Sequence, residues 1–161
     1  MKKMILSAIF GFMAMGMMAQ ETSANDDMAI LQSVYGKSKT DLVNEYLKLS
    51  DTQKTAFQKV YDDYETKRKE IGLTKMNLIN DYADNYANLT DEKANELAKA
   101  ALKANSDLDK LYSKTYSKAK SAIGATNAAK FIQLEEYLQT IIKSTLQENI
   151  PLIGELDEKK I

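Results

Sequence analysis

Apolar side chains return along this chain every three or four positions, and no stretch alternates apolar and polar residues at period two. That pattern predicts helices and no strands. Over residues 51–89, Phe57, Val60, Tyr61, Tyr64, Ile71, Leu78, Ile79, Tyr82, Tyr86 and Leu89 fall on one arc at about 100° per residue. Phe57, Tyr64, Ile71 and Leu78 recur every seventh position, and the phase passes through Gly72. The stretch therefore predicts one long helix, with room for a kink at Gly72, on the order of 55 Å from end to end. A rod of that length does not fit inside a compact ball. It needs a hairpin partner or a second copy to cover its apolar stripe.

Residues 91–123 repeat the pattern, with Ala94, Leu97, Ala101, Leu108, Leu111, Tyr112, Thr115, Ala119 and Ala122 on one face. Alanine supplies much of that face and permits close approach of a neighbouring helix. Residues 126–147 carry a wider apolar arc: Ala128, Phe131, Ile132, Leu134, Leu138, Ile141, Ile142 and Leu146. A wide stripe implies contact on two sides and the most buried helix of the set. Residues 27–48 predict one or two shorter helices interrupted near Gly36, and Pro151 prevents continuation of the last helix. The expected fold is all-α: an elongated bundle of about four helices built on a long antiparallel helical hairpin. Its domain spans residues 21–150, and residues 151–161 form a frayed tail.

Each long helix is preceded by a similar phrase. Leu49-Ser50-Asp51-Thr52-Gln53 opens the first, with Ser50 and Gln53 at the spacing of a capping box. Asp51 favours the positive end of the helix dipole. Leu89-Thr90-Asp91-Glu92-Lys93 opens the second, where Lys93 cannot close the box. Ile123-Gly124-Ala125-Thr126-Asn127 precedes the third, with Gly124 a permissible but poor cap. The apolar residue before each cap can fix the entry angle, and Phe57 is the expected partner of Leu49. Helix initiation explains these phrases without any direct role in function.

The first phrase also resembles the LTXXQ motif of the Spy/CpxP family of periplasmic stress proteins, with Leu49, Ser50 (in place of Thr) and Gln53 at the motif positions. Ile123 and Asn127, followed by Lys130-Phe131, look like the family's second copy, although three of its fixed positions differ. The resemblance covers roughly residues 45–140. It implies a thin, cradle-shaped helical homodimer that binds unfolded or aggregation-prone proteins without ATP, or that reports envelope stress.

Composition sharpens this picture. Lys2 and Lys3, an apolar run from Met4 to Ala19 and the polar start at Gln20 describe a secretory signal peptide over residues 1–20. The run is short of a membrane-spanning helix, so the expectation is a periplasmic protein with no stable membrane insertion after cleavage. Cleavage leaves about 140 residues, one domain by length. The whole chain carries 22 basic and 23 acidic side chains, a net charge of −1. That balance is unlike the strong basic excess of a nucleic-acid-binding protein. The chain has no cysteine and no histidine, so packing alone must hold the fold.

The same two absences remove the usual general base, the thiolate nucleophile and most zinc or copper ligand sets. Only Met28 and Met76 follow the leader. No catalytic residue, metal or cofactor is therefore expected. The acidic groups Asp62/Asp63/Glu65, Asp81/Asp84 and Glu135/Glu136 lie within predicted helices and read as solvated faces. Two features could bind a protein partner. Lys99, Lys103, Lys110, Lys114 and Lys118 fall within an arc of roughly 100° opposite the apolar face of their helix. Lys67, Arg68 and Lys69 form a second basic cluster. A basic face attracts acidic, partly unfolded chains at long range, whereas pairing of Asp107 with Lys103 or Lys110 would make it only a solubilising one. Among nine tyrosines, Tyr116 sits at the edge of its helix face and is the candidate for client contact. The expected partners are unfolded client proteins or a single envelope protein.

Overall fold

A computed structural model of the chain describes residues 22–147 and 150–153, with side chains from residue 28 onward. The expected leader and its expected cleavage point, like the residues beyond 153, lie outside the described residues. Five helices follow in order: α1 (Thr22–Tyr35), α2 (Lys39–Leu47), α3 (Asp51–Asn85), α4 (Asp91–Ile123) and α5 (Ala125–Gln147). No strand occurs among the described residues.

The helix boundaries follow from local chemistry. Ser50 caps α3 with the expected reciprocal pair: Gln53 N–H donates to Ser50 Oγ at 3.3 Å, and Ser50 N–H donates to Gln53 Oε1 at 3.2 Å. Thr90 caps α4 by accepting from Lys93 N–H at 3.2 Å. Ser38 caps α2 by accepting from Asp41 N–H at 3.1 Å. Gly124, at φ +83, ends α4, and its carbonyl accepts from Ala128 N–H to begin α5. One residue thus serves both helices. Gly36, at φ +64, separates α1 from α2. Gly72 does not break α3, which runs unbroken for 35 residues; a glycine inside a helix costs about 1 kcal/mol, and packing along α4 offsets it. The long helix stops four residues earlier than the apolar phase suggested, because Tyr86–Asn88 tighten into a 3₁₀ turn before Thr90.

Contacts across the bundle fix its topology. Asp81 pairs with Lys93 at 2.7 Å near the hairpin turn, and Asp63 pairs with Lys118 at 3.2 Å far from it, so α3 and α4 are antiparallel. The α5 helix returns along α4 and meets α3 through side chains: Phe131 packs edge-on to Phe57, Tyr61 and Tyr64 at 5.0, 6.1 and 5.3 Å. The α1–α2 pair runs opposite to α5, since Lys39 reaches Glu135 while Lys130 Nζ donates to the Tyr46 carbonyl. Successive corners of the bundle are therefore antiparallel, with α1 and α2 together filling one corner. Among the described residues, α4 makes no backbone approach to α1 or α2 across the core.

The main core joins Val43, Leu47, Leu49, Phe57, Tyr61, Tyr64, Leu108, Leu111, Tyr112, Ala119, Ile123, Ala128 and Phe131. Leu49 and Phe57 share it, as expected of the apolar residue before the cap and its partner. A second cluster of Leu31, Leu138 and Ile142 lies under α1. The α5 helix is buried along a wide stripe, as its pattern implied. Ala101 lies on the expected face of α4 but is exposed. Beyond Arg68, no residue of α3 is fully buried, so the hairpin narrows toward its tip. Pro151 and Leu152 are not a loose tail: their carbonyls accept from the hydroxyls of Tyr82 and Tyr86, both at 2.9 Å.

Candidate functional site

Three charged side chains occupy core positions at one level of the bundle. Along α3, Phe57, Tyr61, Tyr64, Arg68 and Ile71 alternate spacings of four and three, and along α5 so do Ala128, Phe131, Glu135, Leu138 and Ile142. That is the spacing of an inward seam. On α2, Lys39, Val43 and Leu47 follow at every fourth position. Arg68, Glu135 and Lys39 therefore stand where their neighbours are apolar, and their exposures are 2 %, 0 % and 4 %.

The charges compensate one another. Lys39 Nζ lies 2.5 Å from Glu65 Oε1 and 2.6 Å from Glu135 Oε2. Tyr64 OH donates to the same Glu135 oxygen at 2.5 Å. Arg68 Nε donates to both oxygens of Glu65 at 3.3 Å, and Lys39 also stands over the Tyr64 ring, 5.1 Å from its centre. Two cations and two carboxylates thus share one enclosed space, joining α2, α3 and α5. The second oxygen of Glu135 and the hydroxyl of Tyr112 are buried without a hydrogen-bond partner among the described residues.

Environment splits the two carboxyls. Burial pushes Glu135 above its ordinary value, against the opposing pull of Lys39 and Tyr64. Burial also raises Glu65, but Lys39 and Arg68 outweigh it and hold that carboxyl below its ordinary value. Burial and then the charge of Glu135 push the hydroxyls of Tyr64 and Tyr112 up. The arrangement can bind a cation between two helices and hold them together.

These findings correct the sequence-based expectations at three places. Arg68 does not belong to an exposed basic cluster with Lys67 and Lys69; its guanidinium is turned inward to Glu65. Glu65 and Glu135 are not part of a solvated face, because each pairs with Lys39 inside the bundle. Tyr116 is half-buried against the main core rather than free for contact with a client. The signal for the buried charges was present in the seam spacing, which places Arg68 and Glu135 in register with aromatic and aliphatic neighbours.

The basic stripe on α4 is exposed but partly neutralised. Asp107 takes Lys103 at 2.5 Å and Lys110 at 3.3 Å, and Asp63 takes Lys118. Hydrogen bonds from Lys103 and then Lys110 hold the Asp107 carboxyl below its ordinary value, and Lys118 does the same for Asp63. Lys67, Lys99 and Lys114 stand exposed. Beside this stripe, Leu102 is 69 % exposed, flanked by Lys99 and Lys103 and accompanied by exposed Ala98 one turn before it.

The motif residues come together at the end of the bundle where α4 turns into α5. Leu49 and Ile123 are buried in the same core. The side chain of Gln53 donates to the Ile123 carbonyl at 3.4 Å, and that of Asn127 donates to the same carbonyl at 3.2 Å. The two phrases thus act on a shared acceptor and lock α3 to the α4–α5 corner. No group of three or more acidic, histidine or cysteine side chains is placed to hold a metal ion among the described residues. No helix among them is long and apolar enough to cross a membrane. No family model, curated protein or solved structure matches the chain.

Proposed function

We propose that this chain is an exported, non-catalytic binding protein: an ATP-independent chaperone or envelope-stress adaptor that engages unfolded or aggregation-prone proteins in the periplasm, as the Spy/CpxP resemblance implies. The observation that carries this is the outer face of α4, where exposed Leu102, with Ala98 one turn before it, lies beside Lys99 and Lys103. Such a face draws an acidic chain by charge and holds its apolar segments weakly. A homodimer would extend the face along two long hairpins. Purified protein, without nucleotide, should suppress aggregation of several denatured clients, and the effect should weaken as salt rises. Unchanged aggregation at stoichiometric excess would rule the proposal out.

A second proposal is a helical module that docks one specific envelope partner. It is favoured by the opposite side of the bundle, where Tyr46 and Tyr137 are exposed by 44 % and 54 %. Lys130 lies over the Tyr46 ring at 5.0 Å and shares a face of α5 with Tyr137, seven residues on. Rigid aromatic side chains beside a cation are the usual anchors of a specific interface. Loss of one co-purifying protein on Tyr137→Ala, with aggregation suppression unaffected, would select this module.

A further inference from the structure

The α1–α2 corner is fastened by charge as well as by apolar contact. Lys39, Val43 and Leu47 form one face of α2, and all three are buried. Val43 and Leu47 enter the cluster that holds Phe57, Tyr61 and Phe131. Lys39 is gripped by Glu65 on α3 and Glu135 on α5. The surface beneath α2 is therefore an apolar groove with two inward carboxylates at one end, set to receive a cation.

At nine residues, α2 is too short to be stable alone in water. Residues in the left-handed region bound it on both sides, Gly36 at φ +64 and Lys48 at φ +51. Lys48 carries a Cβ, so its conformation is strained; relaxation there and at Gly36 would let α2 unseat while α1 keeps its own packing on α3 and α5. The backbone of α2 approaches α1 and α5 but neither α3 nor α4, so its release leaves the α3–α4 and α4–α5 contacts in place.

We propose that the α3–α5 groove is a helix-binding site filled in cis by α2. In trans it takes an amphipathic helical segment with one basic residue followed by aliphatic residues four and eight positions on. Charge sets the specificity: an acidic residue at the position of Lys39 would leave Glu135 without a cation and be repelled by both carboxylates. The groove is a different surface from the outer face of α4, so this site stands or falls separately from the chaperone proposal.

A labelled peptide of residues 37–48, titrated into the full chain and followed by fluorescence anisotropy, tests the site. The tethered helix competes at high local concentration, so binding to the unaltered protein should be weak. Lys39→Ala in the protein should loosen the arm and tighten peptide binding by about ten-fold or more. The same peptide carrying Lys39→Glu should bind neither protein. If far-UV circular dichroism shows that the Lys39→Ala protein does not fold, Leu47→Ala loosens the arm while keeping the charge cluster. Three results would each overturn the proposal: no binding to either loosened protein, binding indifferent to the peptide's lysine, or arm exchange into a dimer, which would assign the groove to a second copy.

Discussion

Removing the ammonium of Lys39 tests the central electrostatic claim. In Lys39→Met the four-carbon stem is nearly preserved in volume, so apolar packing changes little, while two carboxylates lose their shared cation. At an effective dielectric near 20, each contact of 2.5–2.6 Å is worth about 6 kcal/mol of attraction before desolvation. Desolvation takes back several kcal/mol per ion, and truncating one partner of a buried pair costs about 3–5 kcal/mol net. Domains of this kind have about 5–15 kcal/mol of stability, so the loss should be plain in urea denaturation followed by circular dichroism. The penalty should also depend on pH. Without Lys39, Glu135 is held even further above its ordinary value, so acid protonates it and relieves the buried charge. The difference between the two proteins should be largest at the alkaline end and shrink as pH falls. A further change, Glu135→Leu, should recover much of the loss, because an apolar replacement for a buried pair is often neutral or better. A loss below about 1 kcal/mol, the value of a surface pair, or a loss independent of pH, would refute the account.

Other outcomes follow from the buried carboxyls, the aromatic core and the α3 cap. A carboxyl raised in the folded state contributes stability that is present below its ordinary value of 4.5 and fades as pH rises through the raised value. Glu135→Gln should therefore abolish that neutral-side decline, read as urea midpoints across the range. Glu65 has the opposite sign, and its contribution should be lost in both proteins as pH falls below the ordinary carboxylate range. Phe131→Ala removes a ring that meets Phe57, Tyr61 and Tyr64 and should cost about 3–5 kcal/mol in chemical denaturation. Ser50→Ala removes the reciprocal cap of α3 and should cost about 1 kcal/mol, with a matching fall in thermal midpoint.

Much of the architecture could be read from residue spacing. The α4 limits, the continuity of α3 through Gly72 and the break near Gly36 all follow from where apolar side chains recur and where glycine interrupts them. The capping box at Ser50 was legible because its two partners are local, only three residues apart. The partners of the buried charges were not, because compensation is a long-range property. Glu135 finds Lys39 across 96 positions of chain, and although the seam spacing sets Glu135 inward, nothing local names the lysine it will meet. Arg68 was misplaced for a related reason: a run of three cations looks like a surface feature unless its middle member is set against the seam of Tyr61 and Tyr64. The α4 stripe was legible as exposed, but its partial neutralisation by Asp63 required the tertiary fold.

The corner at Gly124 has a mechanical consequence. With a single residue between them, α4 and α5 have no slack in which to slide along each other, and the side chains of Gln53 and Asn127 clamp the carbonyl just before it. This end of the bundle therefore behaves as a pivot. Flexing is displaced some 50 Å along the rods, to Tyr86–Leu89, where the backbone amides should exchange their hydrogens with solvent long before those around Ile123.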